Sequence, residues 1–187
     1  MNTDIEKLKP PLSLHIIVTE TGQESHAIRS AAEWWQYDVT MTWVGNSHQI
    51  VDYLSSKPKH DLVIFSTHGI DLGMVLPELD PEIEKDYPYV HVITPDDFDN
   101  FLNLDNNTVI NLSCVGGKPE LAKVFLSHGA KYYIGDIGYQ YGTDSLMFCL
   151  DIIYYISKGK CVEEAFQIAS QHHDPQQQFK LYGHENT

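Results

Sequence analysis

Apolar and polar positions along the chain fall into two alternating rhythms. Short, nearly continuous apolar runs read as strands: Leu14-His15-Ile16-Ile17-Val18, Val39 to Val44, Asp61-Leu62-Val63-Ile64-Phe65, Val90 to Ile93, Thr108 to Leu112, and Tyr132-Tyr133-Ile134. Between them apolar residues recur at helical spacing. Ala27, Ile28, Ala31, Ala32 and Trp35 trace one helix, Gln49 to Leu54 a second, Asp96 to Leu102 a short third behind Thr94-Pro95, and Leu121, Ala122, Phe125 and Leu126 a fourth with Pro119 in its first turn. Leu146, Met147, Leu150, Ile153, Tyr154 and Ser157 mark a long helix that stops at Gly159, and Ala165, Phe166 and Ala169 mark another. Ile70 to Tyr89, rich in Pro and acids, reads as an irregular flap.

Strand and helix alternate from one end to the other, with no internal repeat and no linker between two cores. The rhythm predicts one α/β domain over 1–187: a three-layer α/β/α sandwich around a mostly parallel sheet of about six strands. Such sheets place their chemistry at the carboxyl ends of the strands.

Composition narrows the classes of function. The 187 residues carry 12 Lys+Arg against 26 Asp+Glu, a formal charge of −14, which argues against a binder of nucleic-acid backbone, and no nucleic-acid partner is expected. The run from Leu12 to Val18 is too short, and too interrupted by His15, to span a membrane or serve as a signal peptide. A cytoplasmic protein without a membrane partner is the expectation. Cys114, Cys149 and Cys161 form neither a C-x-x-C pair nor an even framework, which argues against a disulfide scaffold or a thiolate zinc site. Ten histidines invite a metal reading, above all His172-His173-Asp174 with His184, but no ligand spacing is recognisable and the pair reads as a helix-end or surface feature. Neither metal nor cofactor is expected. Trp34, Trp35 and the pairs Tyr132-Tyr133 and Tyr154-Tyr155 read as aromatics covering the sheet.

Two buried strands finish in reactive residues: Phe65-Ser66-Thr67-His68-Gly69 and Leu112-Ser113-Cys114-Val115-Gly116-Gly117. Histidine accepts a proton near neutrality and a thiolate is the attacking form of cysteine, so His68 and Cys114 on neighbouring tips would make a base and a nucleophile. Gly69, Gly116 and Gly117 would let backbone N–H groups come close to a substrate carbonyl. The plain alternative is a loop histidine and a small buried cysteine at a strand end. His68 and Cys114 are 46 residues apart, close to the separation of about 50 found in caspases.

On these motifs the chain resembles the caspase-like (clan CD) cysteine peptidases, and within them the CHAT-domain proteins most. The resemblance runs from about Asp61 to Gly183. Beyond the two strand ends it includes Gly129-Ala130-Lys131-Tyr132-Tyr133-Ile134-Gly135, Thr143-Asp144 ahead of the long helix, Gly159-Lys160 leading into Val162-Glu163-Glu164-Ala165-Phe166, and a closing Phe179-Lys180-Leu181-Tyr182-Gly183 similar to the family's final strand. The resemblance implies a protein or peptide substrate, His68 as general base, Cys114 as nucleophile, and the backbone N–H groups of Gly69 and Cys114 as oxyanion donors. It also implies that the region of Asp136 shapes the pocket for the residue before the cut. An acid there would favour Lys or Arg, and Asp80, Glu82, Glu84 and Asp86 would crowd the mouth; a turn Asp bonded to local backbone and a solvated flap are the alternatives. A catalytically silent caspase-like module that binds a protein partner remains a second reading of the same motifs, and the oligomeric state is not legible.

Overall fold

A computed structural model describes residues 11–19, 22–139, 141–173 and 178–183. In chain order the elements are β1 (Ser13–Val18), α1 (Gly22–Trp34), β2 (Asp38–Trp43), α2 (Ser47–Ser55), β3 (Leu62–Ser66), β4 (Gly69–Ile70), β5 (Gly73–Val75), α3 (Pro81–Glu84), β6 (Val92–Ile93), α4 (Pro95–Asp99), β7 (Thr108–Asn111), α5 (Pro119–Ser127), β8 (Tyr132–Asp136), α6 (Gly142–Ser157), α7 (Val162–His172) and β9 (Phe179–Gly183). Six strands form the main sheet in the order β2-β1-β3-β7-β8-β9. All neighbours are parallel except β9, which runs antiparallel to β8 along one edge. This is the mostly parallel α/β sheet that the alternation predicts.

Each central strand is buried on both faces, which is why its apolar run is continuous rather than alternating. The period of two still divides the side chains. Leu14, Ile16 and Val18 of β1, with Leu62, Ile64, Ile110 and Ile134, pack under α1, α6 and α7. Ile17, Val63, Phe65, Val109 and Tyr133 face the other way, under α2, α4 and α5. Local signals set the helix starts. Thr94 accepts the Asp97 N–H while the Asp97 carboxylate accepts the Thr94 N–H, a reciprocal cap that starts α4 at Pro95. Pro119 opens α5 at its first position, where a missing N–H costs nothing.

Several expectations change. Val92–Ile93 does not join the main sheet; with β4 and β5 it makes a small antiparallel sheet, β4-β5-β6. The flap is therefore partly ordered, as a hairpin growing directly from His68-Gly69. Its acidic stretch forms α3, capped by Asp80, and lies beside α2, with His48 Nε2 3.3 Å from the Asp86 carbonyl. Trp34 is not a sheet-covering residue: it ends α1 facing solvent at 85% exposure, while Trp35 packs on Tyr154 with ring centroids 5.2 Å apart. No helix among the described residues is long and apolar enough to cross a membrane.

Candidate active site

β3 and β7 are adjacent and parallel, in register from Leu62↔Thr108 to Phe65↔Asn111, so the chain leaves both strands at the same sheet edge. The Leu112 N–H still donates to the Phe65 carbonyl, 2.9 Å away, which carries the pairing one residue past the strand. His68 and Cys114 thus sit on neighbouring tips. His68 is exposed, Cys114 half-buried and Ser113 buried. The tips touch through Gly69: a β-carbon there would lie 2.3 Å from the Cys114 carbonyl oxygen and 2.8 Å from Ser113 Oγ. Glycine at 69 is required by that approach.

A buried polar network lies beneath Cys114. The Asn111 side-chain oxygen accepts from both the Ser113 N–H (2.9 Å) and the Ser113 hydroxyl (2.7 Å). Its amide nitrogen donates to the Tyr133 phenol oxygen at 2.9 Å, and that phenol donates to the Gly116 carbonyl at 2.6 Å. Every polar group of Asn111 and Tyr133 in this chain of contacts is matched, as burial demands. Desolvation drives the Tyr133 phenol far above its ordinary value, so it stays a donor. Val115, the next residue after Cys114, is buried with φ +51°, a left-handed conformation that costs a β-branched residue on the order of 1–3 kcal/mol. Its N–H donates to the Gly138 carbonyl at 2.8 Å. Strain at the tip is held in place by the surrounding bonds.

Gly116 and Gly117 do not offer their N–H groups to a substrate. A β-carbon on Gly117 would meet the Gly135 carbonyl oxygen at 2.2 Å, and one on Gly116 would meet Ser113 Oγ at 2.5 Å. The Gly116 N–H donates to the Ser113 carbonyl and the Gly117 N–H to the Asp136 carbonyl. These glycines let the tip pack against β8, so the sequence reading of them as substrate contacts is replaced by a structural one.

Asp136 is buried at the end of β8. Its oxygens accept the backbone N–H of Gly138 and, at 2.7 Å, that of Gln178. Burial pushes its carboxyl up from the ordinary value, against those two donors and the nearby Lys180. It organises the turn that receives the Val115 N–H and joins β8 to β9. It does not line the cleft beside Cys114.

That cleft has a volume of about 670 Å³ and is bounded by Ser113 to Gly116, the tip of the β4–β5 hairpin, the start of α5, and Ile137, Lys180 and Tyr182. Asp71 on the hairpin and Lys118 ahead of α5 are bonded to each other at 2.6 Å. The Lys118 ammonium holds the Asp71 carboxyl below the usual carboxylate range. None of Asp80, Glu82, Glu84 or Asp86 borders this cleft. Away from it, His172 and His173 both reach Asp151 Oδ2 on α6, at 3.0 and 3.3 Å; Asp174 and His184 lie outside the described residues. Among the described residues no three His, Cys, Asp or Glu side chains gather into a metal-sized group.

Sequence reasoning located both strand tips but missed Asn111, Tyr133 and the strained Val115. An Asn closing an apolar strand two residues before Ser113 was the available signal for the first.

No family model matches the chain, and no curated protein matches it in sequence. Solved structures do match in fold. The Arg-specific cysteine proteinase gingipain R (RgpB) superposes with a TM-score of 0.60 at 12% identity, covering 92% of this chain and 46% of that one. The complex of the Porphyromonas gingivalis RgpB pro- and mature domains gives 0.60 and 12%, covering 92% and 47%. Separase in the Saccharomyces cerevisiae separase–securin complex gives 0.57 and 12%, covering 94% of this chain and 12% of that one. The chain therefore spans less than half the length of each of these proteins, and its six-stranded, mostly parallel sheet flanked by helices is the caspase-like fold that they share.

Proposed function

We propose that the protein is a cysteine endopeptidase of the caspase-like kind, with His68 and Cys114 as its catalytic dyad. One observation carries the reading: the two side chains leave adjacent parallel strands at one edge, and Cys114 lines a cleft. In this reading His68 takes the proton from Cys114 Sγ, and the thiolate attacks the substrate carbonyl carbon. The backbone N–H groups of Gly69 and Cys114 hold the resulting oxyanion. His68 then returns the proton to the departing amine, leaving a thioester that water, deprotonated in turn by His68, hydrolyses to acid and thiol. The motifs from Gly129 to Gly183 support the CHAT-like variety of the fold, and a reducing cytoplasmic setting would keep the thiol available.

Preference for a basic residue before the cut draws no support from Asp136, whose oxygens are bonded to backbone, nor from the acids of α3.

The test is cleavage of a quenched peptide library by the parent, Cys114→Ala and His68→Ala chains, with competitive alkylation of the thiols. Exposed Cys161 serves as the internal reference, while Cys149 is silent because burial pushes its thiol up to about 12. Either substitution should lower kcat by on the order of 10³-fold or more, since the two groups act as a unit. A Cys114→Ala chain that cleaves all that the parent cleaves removes the reading. A parent that cleaves nothing, with Cys114 no more reactive than Cys161, leaves a binding module.

A further inference from the structure

The cleft beside Cys114 has an apolar interior. Ile70 and Leu72 from the hairpin, Leu121 from α5, Ile137 and Tyr182 are among the residues of its wall. Its charged lining, Asp71 and Glu120 with Lys118 and Lys180, balances two against two, and the Asp71–Lys118 pair is closed on itself at 2.6 Å. The one nearby buried acid, Asp136, is turned to backbone N–H groups. A charged side chain entering here would lose hydration against the apolar wall and find Asp71 and Lys118 already paired, leaving only the water-exposed Glu120 and Lys180 as weak, screened counter-charges. Meanwhile the hairpin tip holds apolar surface in water: Leu72 is 67% exposed and Ile70 39%. An apolar side chain in the cleft would remove its own surface and that of Leu72 and Ile70 from solvent together.

We propose that this cleft receives an apolar side chain, of the size of Leu, Met or Phe, from the residue flanking the bond that Cys114 attacks. The proposal rests on the peptidase reading above and replaces its basic preference. The occupant is an extended peptide segment whose neighbouring residues are not acidic, since the chain's charge of −14 repels acidic partners over a distance. The cleft volume, about 670 Å³, lies within the range of roughly 300–1,000 Å³ usual for ligand pockets.

Binding is measured with the full Cys114→Ala chain and fluorescent peptides of Ala and Ser that differ at one central residue: Leu, Phe, Arg, Asp or Ser. Anisotropy should rank Leu and Phe at least about tenfold tighter than Arg, Asp and Ser, the order expected from burying one large apolar side chain. Leu72→Asp in the same background should reduce the Leu advantage several-fold and raise the rank of Arg. Because Leu72 is exposed, its replacement leaves folding intact, which an unchanged melting temperature verifies. Arg or Asp binding as tightly as Leu, binding of no peptide, or an order that Leu72→Asp leaves unchanged would each overturn the proposal. The two readings fail separately. Apolar binding with no cleavage by the parent removes only the peptidase, and cleavage confined to Arg sites removes only the apolar preference.

Discussion

Gly69 stands so close to Cys114 that a single added carbon would collide with the Cys114 carbonyl at 2.3 Å. The residue following the candidate base is thus the spacer that fixes the distance between the two tips. Gly69→Ala must push the Ser113-Cys114 turn away, and backbone offers no flexible end to yield. We expect a loss of about 1–3 kcal/mol in urea unfolding, together with a fall in Cys114 alkylation relative to Cys161. Unchanged stability and an unchanged alkylation ratio would show that the tips separate freely.

Asn111 and Tyr133 lie on neighbouring strands and join the floor of the tip into one bonded unit. Tyr133→Phe leaves the Gly116 carbonyl and the Asn111 amide without their partner, and Asn111→Ala strands the Ser113 hydroxyl. Each should destabilise by about 1–3 kcal/mol, because the groups left behind are buried. The double variant should cost clearly less than the sum, as expected for members of one network. Strict additivity in equilibrium unfolding would contradict the network.

His15 sets a pH dependence remote from the site. It is buried in β1, its Nε2 is 2.8 Å from Thr42 Oγ1, and its ring packs against Tyr53 and His60. Desolvation, with the neighbouring His60 adding to it, lowers its pKa from 6.5 to about 4. Because the folded state resists protonation, the unfolded chain takes the proton first on acidification. Stability therefore rises with pH between about 4 and 6.5 and levels off above, with at most about 3 kcal/mol at stake. His15→Gln should flatten this slope in unfolding free energies measured from pH 4 to pH 7. Desolvation lowers His60 as well, so a smaller slope of the same sign should remain.

The layered sheet was legible because apolar runs such as Leu62 to Phe65 are continuous only when helices cover both faces. The strand tips were legible because His68 and Cys114 each follow such a run, with Gly69 next to the first and Gly116-Gly117 just past the second. Asp136 was legible as a turn acid bonded to local backbone, which its Gly138 contact is, but its second partner was hidden. Its partners, the N–H groups of Gly138 and Gln178, include one 42 residues ahead, and no local pattern reveals a bond across that span. The same holds for the Asp71–Lys118 pair. The hairpin after Gly69 was hidden for another reason: strands of two and three residues, Gly69–Ile70 and Gly73–Val75, are too short to show a period. Val115 carries no signal at all in a sequence, since its φ is imposed by the packing around it.

The antiparallel edge strand gives the site an order of assembly. Lys180 and Tyr182 of β9 complete the cleft, the Tyr182 hydroxyl donates to the Gly117 carbonyl at 2.8 Å, and Gln178 secures Asp136. On a ribosome the segments bearing His68 and Cys114 emerge well before residue 178, and antiparallel pairing with β8 waits for that late stretch of chain. A nascent polypeptide would then carry Cys114 in a half-walled notch. The cleft would gain its last wall only when the edge strand docks.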